Sequence, residues 1–313
     1  MTATEKIADE LVYSISKVLI GKEEQVRHVV VALLAGGHVL IEDIPGVGKT
    51  LLALATARSI GARFRRVQFT SDTIPSDVVG VSVYDPKSSE FTFKQGPIFT
   101  EIFLADEINR TSPRTQSALL EAMAESKVSV DGVTYDLPGP FLVLATMNPV
   151  ERFGSFDLPE SQLDRFMMSI SLGYPGKAHE REILLRDMEH EQADRLVPVT
   201  DPDQIRAIQV QVRKVRVDES VMEYLLDLVR ATRNDSALRL GLSPRAGLHL
   251  KHTIQARAFL AGRDYVIPED LRKVFLPVAL HRILLSGASA NRGHYEQKKD
   301  VLNRVLQSVD GPI

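Results

Sequence analysis

The run Ile41-Glu-Asp-Ile-Pro-Gly-Val-Gly-Lys-Thr50 brings two glycines, a lysine and a hydroxyl together at the end of an apolar stretch. That is the composition of a turn that holds the phosphates of a nucleotide. Gly46 and Gly48 let backbone N–H groups converge on a phosphate with no Cβ in the way. Lys49 would reach the β- and γ-phosphate oxygens, and the Thr50 hydroxyl would join a magnesium shell. Pro45, Val47 and Leu51 complete the loop and open the helix behind it. The strict pattern G-x-x-x-x-G-K-[ST] asks for glycine at position 43, where the chain has Asp43. Aspartate tolerates unusual backbone angles better than most residues, so it is expected to serve that turn, with Pro45 stiffening the crown. The plain alternative is a turn that caps a helix and binds nothing.

A second apolar run, Ile102 to Ala105, stops at two adjacent carboxylates, Asp106 and Glu107. At the end of a buried strand the first could hold a metal and the second could orient and deprotonate water. A third run, Phe141 to Thr146, leads into Met147-Asn148-Pro149. The Asn148 amide could hold the attacking water or sense a terminal phosphate, or simply turn the chain before Pro149 stops the strand. Two arginines, Arg165 in L-P-E-S-Q-L-D-R-F and Arg245 in L-S-P-R-A, offer phosphates a fixed fork of donors that stays charged. Ser243-Pro244 reads as an N-cap and first helical residue, which would fix the direction of Arg245. A surface ion pair is the commoner fate of a single arginine.

These groups need a scaffold. The apolar runs alternate with helical stretches at His28–Leu34, Leu51–Ile60, Thr115–Ala124 and His179–Met188, the pattern of a parallel sheet covered on both faces. Pro198, Thr200, Asp201 and Pro202 break the periodicity, so the chain is expected to divide into residues 1–195 and 196–313. Beyond the break, Val221–Arg230, Arg245–Leu260 and Pro268–Leu284 carry helical spacing, as a small helical lid would. Two inserts lie between the motifs. One is Asp72 to Gly96, with the alternating Phe91-Thr92-Phe93; the other is Lys127 to Leu137, which reads as a hairpin turning at Asp131-Gly132.

Composition excludes several classes. There are no cysteines, so neither disulfides nor thiolate metal sites are available. The segment M-T-A-T-E-K adjoins no apolar signal core, and no run approaches the roughly 20 apolar residues of a membrane span, so a soluble cytoplasmic protein is expected. A net charge of −3 argues against a surface built for nucleic acid, and the basic cluster Arg63, Arg65 and Arg66 is expected to face solvent or a neighbouring subunit. The eight histidines show no metal-binding spacing, and His179-Glu-Arg-Glu reads as a solvated helix face.

Taken together, I-E-D-I-P-G-V-G-K-T, G-P-I-F-T-E-I-F-L-A-D-E-I-N-R-T-S-P-R-T-Q-S-A-L-L-E-A-M, A-T-M-N-P, L-P-E-S-Q-L-D-R-F and L-S-P-R-A resemble the MoxR family of AAA+ ATPases over nearly the whole length. The resemblance implies a P-loop α/β fold, a parallel-sheet sandwich with helices on both faces, followed by a helical lid. It implies ATP/ADP and Mg2+ as cofactors. It makes Lys49 and Thr50 the Walker A residues, Asp106 and Glu107 Walker B, Asn148 sensor 1, Arg165 an arginine finger acting on a neighbouring subunit's ATP, and Arg245 sensor 2. Val18, Ile20 and Gly21 correspond to the segment lining the adenine pocket. In this family an acidic residue at position 43 is ordinary, whereas Met147 stands where glutamine is usual. The two inserts become the helix-2 insert and the pre-sensor-1 hairpin. The implied function is a ring-forming, hexameric ATPase that remodels or activates other proteins, with von Willebrand factor A-like partners or metal and cofactor insertion in view. Two other functions stay open. A nucleic-acid motor is opposed by Lys127 being the only Lys or Arg between 127 and 137, and a non-hydrolysing scaffold by the intact Glu107 and Arg165.

Overall fold

The computed structural model describes residues 3–87, 89–148, 156–186, 191–287 and 295–312. Eleven strands are present among them: β1 (Val39–Glu42), β2 (Phe64–Gln68), β3 (Gly80–Asp85), β4 (Glu90–Gln95), β5 (Ile102–Asp106), β6 (Lys127–Val130), β7 (Val133–Asp136), β8 (Leu142–Met147), β9 (Met168–Ile170), β10 (Leu238–Leu240) and β11 (Leu284–Leu285). Five form one sheet in the order β2-β5-β8-β1-β9, and every pairing in it is parallel.

Side-chain alternation along these strands feeds two separate cores. Val39, Ile41, Ile102, Leu104, Leu142, Leu144, Met168 and Ile170 point into one cluster, shared with the helices Ala3–Ser16, Glu23–Ala35 and Lys49–Ser59. Leu40, Phe103, Ala105, Val143, Ala145 and Met147 point into the other, shared with Leu119, Leu120 and Met123 of the helix Pro113–Glu125. The central strands β5 and β8 are buried at every position, which is why they read as unbroken apolar runs. The fold is the expected P-loop sandwich followed by a helical lid.

His38, just ahead of β1, ties the two layers together. Its Nδ1 accepts from Val143 N at 3.1 Å, so its Nε2 carries the proton and donates to Met123 O at 3.0 Å.

The expected helices are all found within a few residues, apart from details at their ends. The chain's first long helix is Ala3–Ser16, ahead of Gly21. The stretch from Pro268 does not stay helical to Leu284: the helix runs through Pro277 and stops at Ala279, and Leu284 instead lies in β11. Strands β10 and β11 pair antiparallel within the lid. The helices Pro202–Val212 and Tyr295–Ser308 had no counterpart in the sequence reading. Gln209 Nε2 and Arg213 Nη2 of the Pro202–Val212 region donate to Leu33 O and Ala35 O, adding side-chain partners to the carbonyls at the end of the Glu23–Ala35 helix. Pro149 and the expected helix end at Met188 lie outside the described residues.

Both inserts are antiparallel hairpins, β3–β4 and β6–β7. They touch each other through Phe93, which stacks on Tyr135 at 4.2 Å between centroids and meets Phe99 edge-on. Phe91, nearer the tip, is 74% exposed beside Tyr84. The alternating ribbon is therefore divided: Phe93 packs inward and Phe91 projects.

Candidate nucleotide site

The carboxyl ends of parallel strands are where an open α/β sheet collects its ligand-binding loops. Here those ends deliver Glu42, Gln68, Asp106 and Met147, and the residues that follow them, to one edge of the sheet. The phosphate loop leaves β1 and enters the helix Lys49–Ser59. Gly46 (φ 83°) and Gly48 (φ 95°) both occupy the left-handed region where a side chain is strained. Gly48 is the helix N-cap and supplies no side-chain cap, so the first N–H groups of that helix are available to an anion. A Cβ at Gly46 would meet open space, whereas one at Gly48 would lie 3.1 Å from Leu19 Cδ1. Val47 and Leu51 are half-buried against the core. Pro45 is exposed at its crown.

Asp43 does not provide an unusual backbone angle, since it is absent from the residues of positive φ. It is a buried tether instead. Its Oδ2 accepts from Leu172 N (2.5 Å), Gly173 N (2.7 Å) and Ser171 Oγ (3.1 Å), and its Oδ1 accepts from Ile44 N. A glycine could not tie the phosphate loop to the segment after β9 in this way. Lys49 Nζ donates to the carbonyl of the same Asp43 at 2.8 Å, across the turn.

On the neighbouring strands, Asp106 and Glu107 are both engaged. Asp106 Oδ1 accepts from the Thr146 hydroxyl at 2.6 Å, and that hydroxyl accepts in turn from Glu107 N at 2.8 Å. Asp106 Oδ2 accepts from Arg66 at 2.6 Å (Nη2) and 3.1 Å (Nε). Glu107 stands in the left-handed region (φ 57°), which turns its side chain off the end of β5. Its Oε2 accepts from Arg110 Nη1 at 2.8 Å and, at 3.5 Å, from Gln68 Nε2. The basic cluster is exposed, as expected, but two of its three arginines also pair with acids while Arg65 faces solvent. Arg66 is paired with Asp106 across the parallel strands β2 and β5, and Arg63, just ahead of β2, grips Glu101, just ahead of β5, through two nitrogens.

Asn148 is buried just past β8, and Met147 before it sits in the apolar cluster that includes Leu119 and Met123. Burial in that cluster accounts for a methionine at this position.

Ile20 and Gly21 line a cavity of about 530 Å3 together with Ser16, Lys17, Glu23, His179, Glu182 and Gln192. Val18, expected beside them, is in the hydrophobic core instead. The His179 ring lies so close over Gly21 that a Cβ there would come within 2.4 Å of Nδ1. His179 is therefore a cavity wall and not merely part of a solvated face.

Arg165 is half-buried, its Nη1 donating to Leu120 O at 2.7 Å while its Nε is buried with no partner. Arg245 is exposed in the first turn of the helix Pro244–Leu260, whose N-cap Ser243 accepts from Ala246 N. The two arginines are connected through Asp164. Its Oδ2 accepts from Ser243 Oγ at 2.8 Å and its Oδ1 from Arg282 Nε at 2.8 Å. Arg282 also donates to Phe166 O, Met167 O, Val278 O and His249 Nδ1. Burial pushes the Arg282 guanidinium down to about 10, against the pull of Asp164. Burial, with Arg282 second, pushes His249 down to about 3, so its ring is neutral and free to accept that proton.

Known proteins decide the family. Residues 38–168 match the model of the ATPase family associated with various cellular activities (AAA), and residues 230–305 match the AAA lid domain. The chain is 45% identical to the uncharacterized protein YeaC of Bacillus subtilis, over 96% of this chain and 93% of that one. It is 38% identical to chaperone MoxR1 of Mycobacterium tuberculosis, over 97% of this chain and 82% of that one. The chain belongs to the MoxR family of AAA+ ATPases. A crystal structure of a candidate ATPase from Cytophaga hutchinsonii superposes with a TM-score of 0.88 at 34% identity, covering 99% of this chain and 96% of that one.

ATP hydrolysis is accordingly the reaction of this MoxR-family enzyme. Its residues fit the nucleotide and metal that the family implies. Two left-handed glycines and an uncapped helix N-terminus suit phosphate, and the Thr50 hydroxyl with the Asp106 carboxylate is an oxygen donor set of the kind Mg2+ takes. Bound there, the ion would neutralise charge on the phosphates. Sequence reasoning missed Thr146, Arg66, Arg110, His179 and the Asp164–Arg282 pair. Thr146 stood in the quoted A-T-M-N-P, but only strand order shows that it faces Asp106.

Proposed function

We propose that this chain is one subunit of a hexameric ring that uses ATP hydrolysis to remodel or activate partner proteins, as a chaperone does. In this reading Lys49 and Thr50 hold phosphate and metal, Asp106 joins the metal, Glu107 is the general base and Asn148 positions the water. Arg165 acts on the ATP of the neighbouring subunit, and Arg245 reports nucleotide state from the lid. Ile20, Gly21 and His179 take the base. The division into a nucleotide-binding unit, 1–195, and a lid, 196–313, belongs to the same proposal; a lid model matched over residues 230–305 supports a separate C-terminal unit.

The observation that carries the protein-remodelling reading is the β3–β4 hairpin. It presents Val81, Val83, Tyr84 and Phe91 to solvent, an apolar ribbon suited to protein contact. Likeness to a chaperone over nearly the whole chain supports it. Partners with a von Willebrand factor A-like domain, or metal and cofactor insertion, are the clients proposed from the family. The β6–β7 hairpin is unsuited to tracking nucleic acid, because Lys127 is its only Lys or Arg and pairs with Asp136. The test is ATPase rate per subunit against protein concentration, with mass followed by light scattering. A rate that rises as rings form is expected; a concentration-independent rate from a monomer overturns the shared site.

A further inference from the structure

The carboxylate assigned to the metal already holds a cation. Arg66 reaches across from the edge strand β2 and places two nitrogens on Asp106 Oδ2, while Thr146 occupies Oδ1. The Asp106 side chain is 12% exposed and that of Arg66 43% exposed, so the acid is enclosed and the arginine has room to leave. A guanidinium and a divalent cation sharing one carboxylate oxygen repel each other. Two residues on, Gln68 leans from the same strand toward Glu107, and Arg110 pairs with Glu107 from the other side. Each of the two adjacent carboxylates is thus paired with a guanidinium.

We propose that Arg66 is a positioning residue: it holds the Asp106 carboxylate in the nucleotide-free enzyme, yields it on metal binding, and so sets how strongly nucleotide binding depends on Mg2+. The proposal rests on Asp106 being a metal ligand. It gives Arg66 a role beyond joining β2 to β5, because a mere edge-strand ion pair would alter stability without altering metal dependence. Arg66 keeps the acid from facing the site as an uncompensated buried charge, and its exposed side chain can swing toward solvent once a metal takes over.

The measurement is affinity for a fluorescent ATP analogue in excess Mg2+ and in EDTA, from which the ratio of the two dissociation constants gives the metal-dependent gain. Removing the cation in Arg66→Gln is expected to raise that ratio about three- to tenfold. Arg66→Lys, which keeps a cation in reach, is expected to stay within about twofold of wild type. Thermal melts confirm that each variant is folded. An unchanged or lower ratio in folded Arg66→Gln overturns the proposal. Asp106→Asn separates the two layers of the argument: collapse of its ratio upholds the metal-ligand reading whatever Arg66→Gln does, and an unaltered ratio removes that reading together with the proposal.

Discussion

Glu107 is held by three neighbours, its own backbone included: Thr146 receives its N–H, and Arg110 and Gln68 donate to its carboxylate. Glu107→Gln keeps the shape and the backbone contact while removing the basic oxygen. ATP affinity is expected to survive and turnover to fall at least about a hundredfold, as read by phosphate release beside nucleotide titration. Continued hydrolysis would take Glu107 out of the base role. Arg165 poses a different question, since its guanidinium lies against Leu120 O of its own subunit. Arg165→Ala is expected to spare nucleotide affinity in an isolated subunit and to abolish turnover in assemblies, with activity returning in mixed rings wherever wild type supplies the arginine. Mixed rings that stay silent at every ratio would show that Arg165 does not act across the interface.

Elements in this chain are joined by buried polar bridges as well as by apolar packing. His38 is the clearest, linking the start of β8 to the end of the helix Pro113–Glu125 on one face of the sheet. Burial pushes its pKa down from 6.5 to about 4. The folded state therefore keeps the ring neutral while the unfolded chain takes up a proton below its ordinary pKa. Stability from this group is fully present above about pH 6.5 and is lost progressively as pH falls toward 4. Acidifying from about pH 7 to about pH 5 is expected to cost on the order of 2 kcal/mol through His38 alone. Denaturant melts at both pH values check this, and His38→Gln, though less stable throughout, should show a correspondingly smaller fall. An identical fall in the variant would assign the pH dependence to other groups.

Across the whole molecule, Asp164 and Arg282 join the segment bearing Arg165 to the lid that bears Arg245. The Arg282 side chain is 2% exposed, so its charge is tolerable only with Asp164 and the surrounding carbonyls in place. Asp164→Ala is expected to destabilise the fold by roughly 3–5 kcal/mol, because it strands a buried cation. Combining it with Arg282→Met should recover part of that loss, since the stranded charge is then gone as well. Chemical denaturation of the three variants decides it; a double variant no better than Asp164→Ala would mean that the carbonyl ligands, not the carboxylate, carry Arg282.

Local sequence determined the phosphate loop, the strand ends that carry Asp106 and Asn148, and the hairpin turn at Asp131-Gly132, because each is written in contiguous residues whose backbone or burial demands are specific. Helical spacing beyond Pro202 pointed to the lid, and the family resemblance agreed with it. Periodicity carried helix and strand type but not their limits, and the Pro202–Val212 helix was not anticipated. Only the tertiary structure decided what the charges do. Arg66 and Asp106 are 40 residues apart, Asp43 and Leu172 are 129 apart, and Asp164 and Arg282 are 118 apart. Each pair exists because parallel strand order or lid packing brings two distant segments side by side. A one-dimensional pattern shows that an arginine is present; which carboxylate it meets is fixed by the order of strands in the sheet and by what remains to be neutralised once the core has closed.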